Sequence, residues 1–199
     1  MVKLALSMRG MTSEHGEIRD ALANDWGRFL KSVSPNFIWF PVPNIGNDVV
    51  RFLEEFSIDG IVLTGGEDWG VYKKRDETEE CLFKWAIDRK PIIGICRGAQ
   101  IINKFFGGEL VKISSNDHVG VRHKINMNGN EIEVNSFHNF GILMNTLGKG
   151  CKVLAIANDN SVEAFSYKDN CVGIMWHPER ETEPAKHDIK ILKNLFNDE

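Results

Sequence analysis

The 199-residue chain predicts an α/β fold, a doubly wound and mostly parallel central sheet flanked by helices, with an antiparallel-rich second half. Two patterns predict it. Up to Phe106, short apolar runs alternate with segments of helical period, the order expected when crossover helices cover both faces of a parallel sheet. Beyond Gly107-Gly108 the chain reads as closely spaced short strands. Asn128-Gly129 marks a hairpin there, because both central positions of a type I′ turn need positive φ.

The elements follow in order. Lys3 to Met8, Phe37 to Pro41, Gly60 to Leu63 and Pro91 to Cys96 read as strands of the parallel layer. Helices are expected over Glu17 to Lys31, Asp48 to Phe56, Glu77 to Asp88 and Arg97 to about Phe106. In the second half Glu109 to Ile113, His123 to Met127, Glu131 to Asn135, Lys152 to Ala157 and Val162 to Tyr167 are expected strands. Cys171 to Trp176 returns to the main sheet, and Ala185 to Phe196 forms a closing amphipathic helix. With no repeat, low-complexity tract or linker in view, residues 1–199 are read as one domain.

Composition narrows the function. A hydrophobic content of 42% suffices for a core, and a net charge of -4 offers no positive field to recruit nucleic acid or an anionic membrane. The N-terminus MVKLALSMRG lacks the basic and long apolar regions of an export signal, and no run reaches the roughly 18 to 20 apolar residues that span a bilayer. A cytoplasmic protein with a small soluble substrate is expected. Cys81, Cys96, Cys151 and Cys171 form no C-x-x-C pair and no close Cys/His group, so free thiols are expected and no metal site or cofactor is.

The chemistry concentrates in two segments. Pro91-Ile92-Ile93-Gly94-Ile95-Cys96-Arg97-Gly98 is an apolar strand running through G-x-C-x-G into a helix. A nucleophile on such a turn stands at the carboxyl edge of the sheet, glycines allow the backbone to approach closely, and the helix N-terminus favours a thiolate. The second segment, Cys171 to Glu179, is an apolar strand ending in His177-Pro178-Glu179. An imidazole can take the thiol proton there and a carboxylate can fix its tautomer.

These segments, with Leu63-Thr64-Gly65-Gly66, Arg75-Asp76-Glu77-Thr78-Glu79, Asn103, Gly107-Gly108, Val134-Asn135-Ser136-Phe137-His138 and Ala157 to Ala164, stand in an order that resembles the class I glutamine amidotransferases. The chain is similar in particular to the free-standing γ-glutamyl hydrolases of that superfamily. The resemblance implies Cys96 as nucleophile, His177 as general base and acid, Glu179 as orienting carboxylate, and a γ-glutamyl thioester intermediate. It implies an oxyanion hole of backbone N–H groups from Arg97 and from Gly65 or Gly66. Gln100, Ser136, Phe137 and His138 would line the glutamyl pocket. The chain departs from the family at Asn139 and Phe140, where another His and a Gln are common, and it is shorter than most γ-glutamyl hydrolases.

The same resemblance implies that the chain acts without an obligate protein partner, with the alternative of a glutaminase subunit that supplies ammonia to a synthase. Likeness in LTGGEDWG and HPER extends the expected substrate to a nucleotide-linked γ-glutamyl conjugate. Its phosphates would need cationic contacts, for which Arg97, Arg122, Lys124 and Lys73 to Arg75 are the candidates. Trp69, Tyr72, Phe137 and Phe140 are candidate aromatic surfaces at the mouth. His15, His118, His123 and His187 receive no role from spacing, and Cys81, Cys151 and Cys171 are expected to be inert packing residues.

Overall fold

The structure, a computed structural model, describes residues 1–197. The chain runs β1 (Val2–Ser7), β2 (Arg9–Thr12), β3 (Ile18–Ala21), α1 (Asp25–Val33), β4 (Phe37–Val42), α2 (Val49–Glu55), β5 (Gly60–Leu63), α3 (Lys73–Ala86), β6 (Ile92–Ile95) and α4 (Arg97–Phe105). It continues through β7 (Val111–Lys112), α5 (Ser115–His118), β8 (Val119–Met127), β9 (Asn130–Phe137), β10 (Phe140–Gly141), β11 (Lys152–Ala157), β12 (Val162–Tyr167), β13 (Cys171–Ile174) and α6 (Lys186–Leu195).

Among the described residues one nine-stranded sheet has the order β4-β1-β5-β6-β13-β12-β11-β8-β9. The strands from β4 to β13 pair in parallel, and those from β12 outward pair antiparallel. Alternation along the strands sorts the core. Leu4 and Leu6 of β1 join Phe29, Leu30, Leu192 and Leu195 on one face, while Ala5 joins Leu53, Leu82, Ala99 and Ile102 on the other. A central strand covered on both faces has no polar side to show, which explains the apolar runs of β5 and β6.

Three expectations change. The helix expected from Glu17 begins only at Asp25, and the residues before it form the β2–β3 hairpin. Positions 17–20 are exposed, so they have no apolar face to bury, whereas Trp26, Phe29, Leu30 and Val33 make one. The α3 helix starts at Lys73 rather than Glu77. The strand expected over Glu109 to Ile113 shrinks to two residues that pair with Phe140 and Gly141 outside the main sheet. The hairpin forms where expected, with Asn128 at φ 52° and Gly129 at φ 84° between β8 and β9.

The neighbouring strands β5, β6 and β13 end together. Leu63 pairs with Gly94, and Ile95 with Ile174, so the segments after these strands converge at one edge of the sheet. Among the described residues, no helix is long and apolar enough to cross a membrane.

Candidate active site

Cys96 lies between β6 and α4 at φ 51° and ψ −104°, a conformation that costs a non-glycine residue free energy and is held by its surroundings. Its N–H donates to the Ile174 carbonyl at 2.8 Å, and its carbonyl accepts from Gln100 N–H at 3.0 Å. The turn closes because a Cβ at Gly98 would collide with the Leu63 carbonyl oxygen, which excludes any side chain there. Cys96 is 6% exposed, so its sulfur meets solvent only through the site itself.

His177 follows β13, and its main chain is clamped by one side chain. Its N–H donates to Asn135 Oδ1 at 2.8 Å, and Asn135 Nδ2 donates back to its carbonyl at 2.8 Å. The imidazole Nδ1 lies 2.7 Å from Glu179 Oε1, which fixes the ring and leaves its other nitrogen for the Cys96 sulfur. Burial pulls the His177 pKa down, but the Cys96 sulfur and the Glu179 carboxylate outweigh it and hold the pKa up at about 9. The arrangement therefore keeps an imidazolium beside the sulfur at neutral pH. On the loop after β5, a Cβ at Gly65 would lie 2.6 Å from His177 Cε1, so the loop backbone sits against the ring.

Beneath that loop is a buried ion network. Arg75 donates from Nε to Glu79 Oε1 at 2.8 Å and from Nη1 to Glu67 Oε2 at 3.0 Å. Its Nη2 donates to the carbonyls of Thr64 and Gly65 at 2.8 and 3.1 Å. Arg97 pairs with Glu79 and donates to Asp76 Oδ1 at 2.6 Å. Burial works against charge on Glu79, but Arg75 and Arg97 together hold its carboxyl below the usual range. The network ties the start of α3, the start of α4 and the Gly65-Gly66 loop into one unit.

Two depressions open beside the Cys96–His177 pair. A cavity of about 240 Å³ is lined by Gly66, Cys96, Arg97, Gln100, Phe137 and His138, among others. A narrower groove is lined by Arg9, Trp26, Gly65, His177, Glu179 and Arg180, among others. Of the residues expected to bind substrate, Gln100 lines the cavity and donates from Nε2 to the Phe140 carbonyl at 2.8 Å. Phe137 is 41% exposed, stands edge-on to His177 with centroids 5.8 Å apart, and lies under the Arg180 guanidinium at 4.3 Å. Ser136 stands apart: it is fully buried and donates to the His118 carbonyl at 2.8 Å. His138 reaches the cavity wall, but its Nδ1 faces the Phe140 carbonyl at 3.1 Å and its Nε2 faces Glu163 at 3.7 Å.

Of the basic residues expected to meet phosphates, all but Lys73 are engaged with carboxylates. The side chains of Arg75 and Arg97 are buried in the ion network, because only paired guanidinium groups survive in that interior. Arg122 is bound to Glu133 and Glu181, Lys124 to Glu131, and Lys74 to Glu77. Trp69 packs edge-on against Phe105, and Tyr72 covers Gly10. The cations that border the groove are Arg9 and Arg180, placed there by the β2–β3 hairpin and by the turn after His177, each in a long ion pair of 3.9 Å, with Glu67 and Glu179 respectively. Nothing local in the sequence marks Arg9, whereas Arg180 follows the His-Pro-Glu motif and Asn135 lies within the 134–138 motif. The other thiols are disfavoured as nucleophiles: burial raises the pKa of Cys81, lifts that of Cys151 to about 11, and raises that of Cys171 further.

The Peptidase C26 family model matches residues 2–179. Over 190 residues the chain is 36% identical to the gamma-glutamyl-CDP-amidate hydrolase of Campylobacter jejuni, covering 91% of this chain and 90% of that protein. It is 26% identical over 186 residues to a glutamine-hydrolyzing GMP synthase subunit of Methanococcus aeolicus, covering 87% of this chain and 94% of the other. In fold it is similar to a glutamine amidotransferase from Thermotoga maritima, with a TM-score of 0.64 at 15% identity over 99% of this chain and 83% of that one.

Proposed function

The chain belongs to the Peptidase C26 family, and from that premise we propose that Cys96, His177 and Glu179 are the catalytic triad of a γ-glutamyl hydrolase. The observation that carries the proposal is the strained φ of 51° at Cys96 beside an imidazole held 2.7 Å from Glu179. The Cys96 thiolate attacks the γ-carbonyl carbon, and the developing oxyanion is received by the backbone N–H of Arg97 and one from Gly65 or Gly66. As the tetrahedral intermediate collapses, His177 gives its proton to the leaving nitrogen, the C–N bond breaks and a γ-glutamyl thioester remains. His177 then takes a proton from water, whose oxygen attacks the thioester and releases glutamate and the thiolate. Glu179 keeps the ring oriented and stabilises the imidazolium without taking the proton. No cofactor enters these steps.

The glutamyl group occupies the cavity beside Gln100 and Phe137, and the leaving group lies toward Arg9 and Arg180. Those cations, both partly exposed, suit a phosphate-bearing leaving group. Together with the 36% identity over nearly the whole of the Campylobacter jejuni enzyme, they support γ-glutamyl-CDP-amidate as substrate and cytidine diphosphoramidate as product. A glutaminase subunit delivering ammonia to a synthase is the second reading, favoured by the likeness to the Methanococcus aeolicus GMP synthase subunit.

One comparison separates the two. The purified chain, with no partner present, is given γ-glutamyl-CDP-amidate, glutamine and a small neutral γ-glutamyl amide, and the products are weighed by mass spectrometry. The nucleotide conjugate is cleaved fastest, Arg9→Ala and Arg180→Ala raise its KM while sparing the neutral amide, and Cys96→Ala abolishes turnover of all three. Equal cleavage of glutamine and the conjugate, with no inhibition by cytidine diphosphate, would overturn the substrate. Retained turnover in Cys96→Ala would overturn the triad.

A further inference from the structure

We propose that His118, His123 and Glu163 form a zinc site directly behind the wall of the substrate cavity, with His138 facing the same carboxylate from that wall. Candidate ligand atoms of His118, His123 and Glu163 lie within 4.8 Å of one another. His118 Nδ1 is 3.7 Å from Glu163 Oε1, and His123 Nε2 and His138 Nε2 are 3.5 and 3.7 Å from Glu163 Oε2. Tetrahedral zinc, with bonds of about 2.0–2.1 Å to nitrogen and oxygen, places neighbouring ligand atoms about 3.3 Å apart, so a small inward movement completes the shell.

Proton positions favour a cation at the centre. His118 Nε2 lies 2.9 Å from Asp159 Oδ2, so in the neutral ring that nitrogen carries the hydrogen and Nδ1 presents a lone pair. His138 Nδ1 faces the Phe140 carbonyl, which can only accept, so Nε2 presents its lone pair. Both lone pairs point at a carboxylate, which also only accepts. His118 Nδ1, His123 Nε2, His138 Nε2 and Glu163 Oε2 are all buried with no hydrogen-bond partner. Glu163 is fully buried, His118 is 1% exposed and His138 is 3% exposed. A divalent cation between His118, His123 and Glu163 satisfies three of these groups at once, and His138 Nε2 faces the same Glu163 oxygen.

The outer contacts are those a metal site uses. Asp159 on His118 and the Phe140 carbonyl on His138 fix ring orientation, while Ser161 Oγ donates to Glu163 Oε1 at 3.1 Å. The carboxylates of Glu163 and Asp159 balance a 2+ charge. Two imidazoles and one carboxylate select a first-row transition ion over calcium or magnesium, which prefer all-oxygen shells, and three protein ligands leave the fourth tetrahedral position to a water. A cavity of about 490 Å³, lined by His118, His123 and Asp159 among others, gives the ion a path from solvent. The site would pin the turn at α5 and the 137–140 segment to β12. The β12 carbonyl of Glu163 accepts Met175 N–H at 2.8 Å, just before His177, so the ion would brace the catalytic edge without joining the chemistry.

The test uses the full chain carrying Cys96→Ala, so that the active-site thiol cannot compete for metal. The protein is stripped with a chelator, titrated with zinc against a chromophoric competitor, and loaded with cobalt for absorption spectroscopy. One equivalent of zinc binds tightly, cobalt gives the intense visible bands of a four-coordinate site, and zinc but not magnesium raises the thermal midpoint. Glu163→Gln loses stoichiometric binding. Asp159→Asn, at a position whose side chain is 41% exposed, folds normally and binds zinc about 10–100-fold more weakly. Substoichiometric zinc after desalting would overturn the proposal and leave protonated imidazoles as what satisfies the cluster. Unchanged affinity in Asp159→Asn would overturn it as well.

Discussion

Two clusters of buried ionisable groups stand behind the Cys96–His177 pair, one at the starts of α3 and α4, the other where α5, β8, β9 and β12 meet. In the first, donors face acceptors. Arg75 donates from all three of its nitrogens to carboxylates or carbonyls, and Glu79 receives both arginines. In the second, three imidazole nitrogens and one carboxylate oxygen converge without a hydrogen-bond partner, and the outer contacts of His118 and His138 turn lone pairs toward that carboxylate. Similar burial thus hides opposite conditions. In the first cluster opposite charges meet and only Arg97 Nε is left without a partner, so it acts as a clamp on the Gly65-Gly66 loop, whereas in the second four atoms are left without one.

Arg97→Met would break the arginine cluster most severely. It strips one partner from Glu79 and one from Asp76 in a dry interior, and should cost about 3–5 kcal/mol in a denaturant titration, with no response to chelator or zinc. The backbone N–H of residue 97 remains, so any loss of turnover beyond the loss of folded protein reports loop position. A cost within experimental error would show that the network does not clamp the loop.

Glu163→Gln sharpens the contrast from the other side. With zinc at about 100-fold over its dissociation constant the wild-type chain should gain about 2.7 kcal/mol over its chelated form, and the variant should gain almost none. Equal gains in both proteins would place the metal elsewhere.

The His177–Glu179 pair lies between these extremes, because its charge depends on pH. Its folded pKa, about 9, stands above the unfolded value of about 6.5. The Cys96 sulfur and then Glu179 raise it, so the stabilisation is fully present below pH ~6.5 and is lost as pH rises through ~9. Wild type compared with His177→Gln from pH 6 to 10 should show the advantage shrinking across that window. A constant difference would mean that His177 is not held as imidazolium.

Asn135→Ala should give the smallest change. It removes both hydrogen bonds to the His177 main chain and one to Glu181, at a cost of about 1–3 kcal/mol. If Asn135 positions the base, kcat falls while KM is nearly unchanged, and Asn135→Asp does not recover the loss, because its second oxygen meets the His177 carbonyl and the Glu181 carboxylate where a donor is needed.

The sequence by itself determined what depends on neighbours along the chain. Apolar runs separated by helical segments dictate β1, β4, β5 and β6 with their crossovers, Asn128-Gly129 dictates the β8–β9 turn, and G-x-C-x-G with His-Pro-Glu marks the two segments that meet at the site. The stretch before Asp25 departs from the helical expectation because its exposed residues have no face to bury as a helix and pair as a hairpin instead. Tertiary structure alone decided the partners. Arg97 finds Glu79 and Asp76 rather than a phosphate, Asn135 finds His177 across 42 positions, and Glu163 meets His118, His123 and His138. These meetings follow from the order of the strands in the sheet and from which buried charge lacks water, and neither is written in the spacing of residues along one strand or helix.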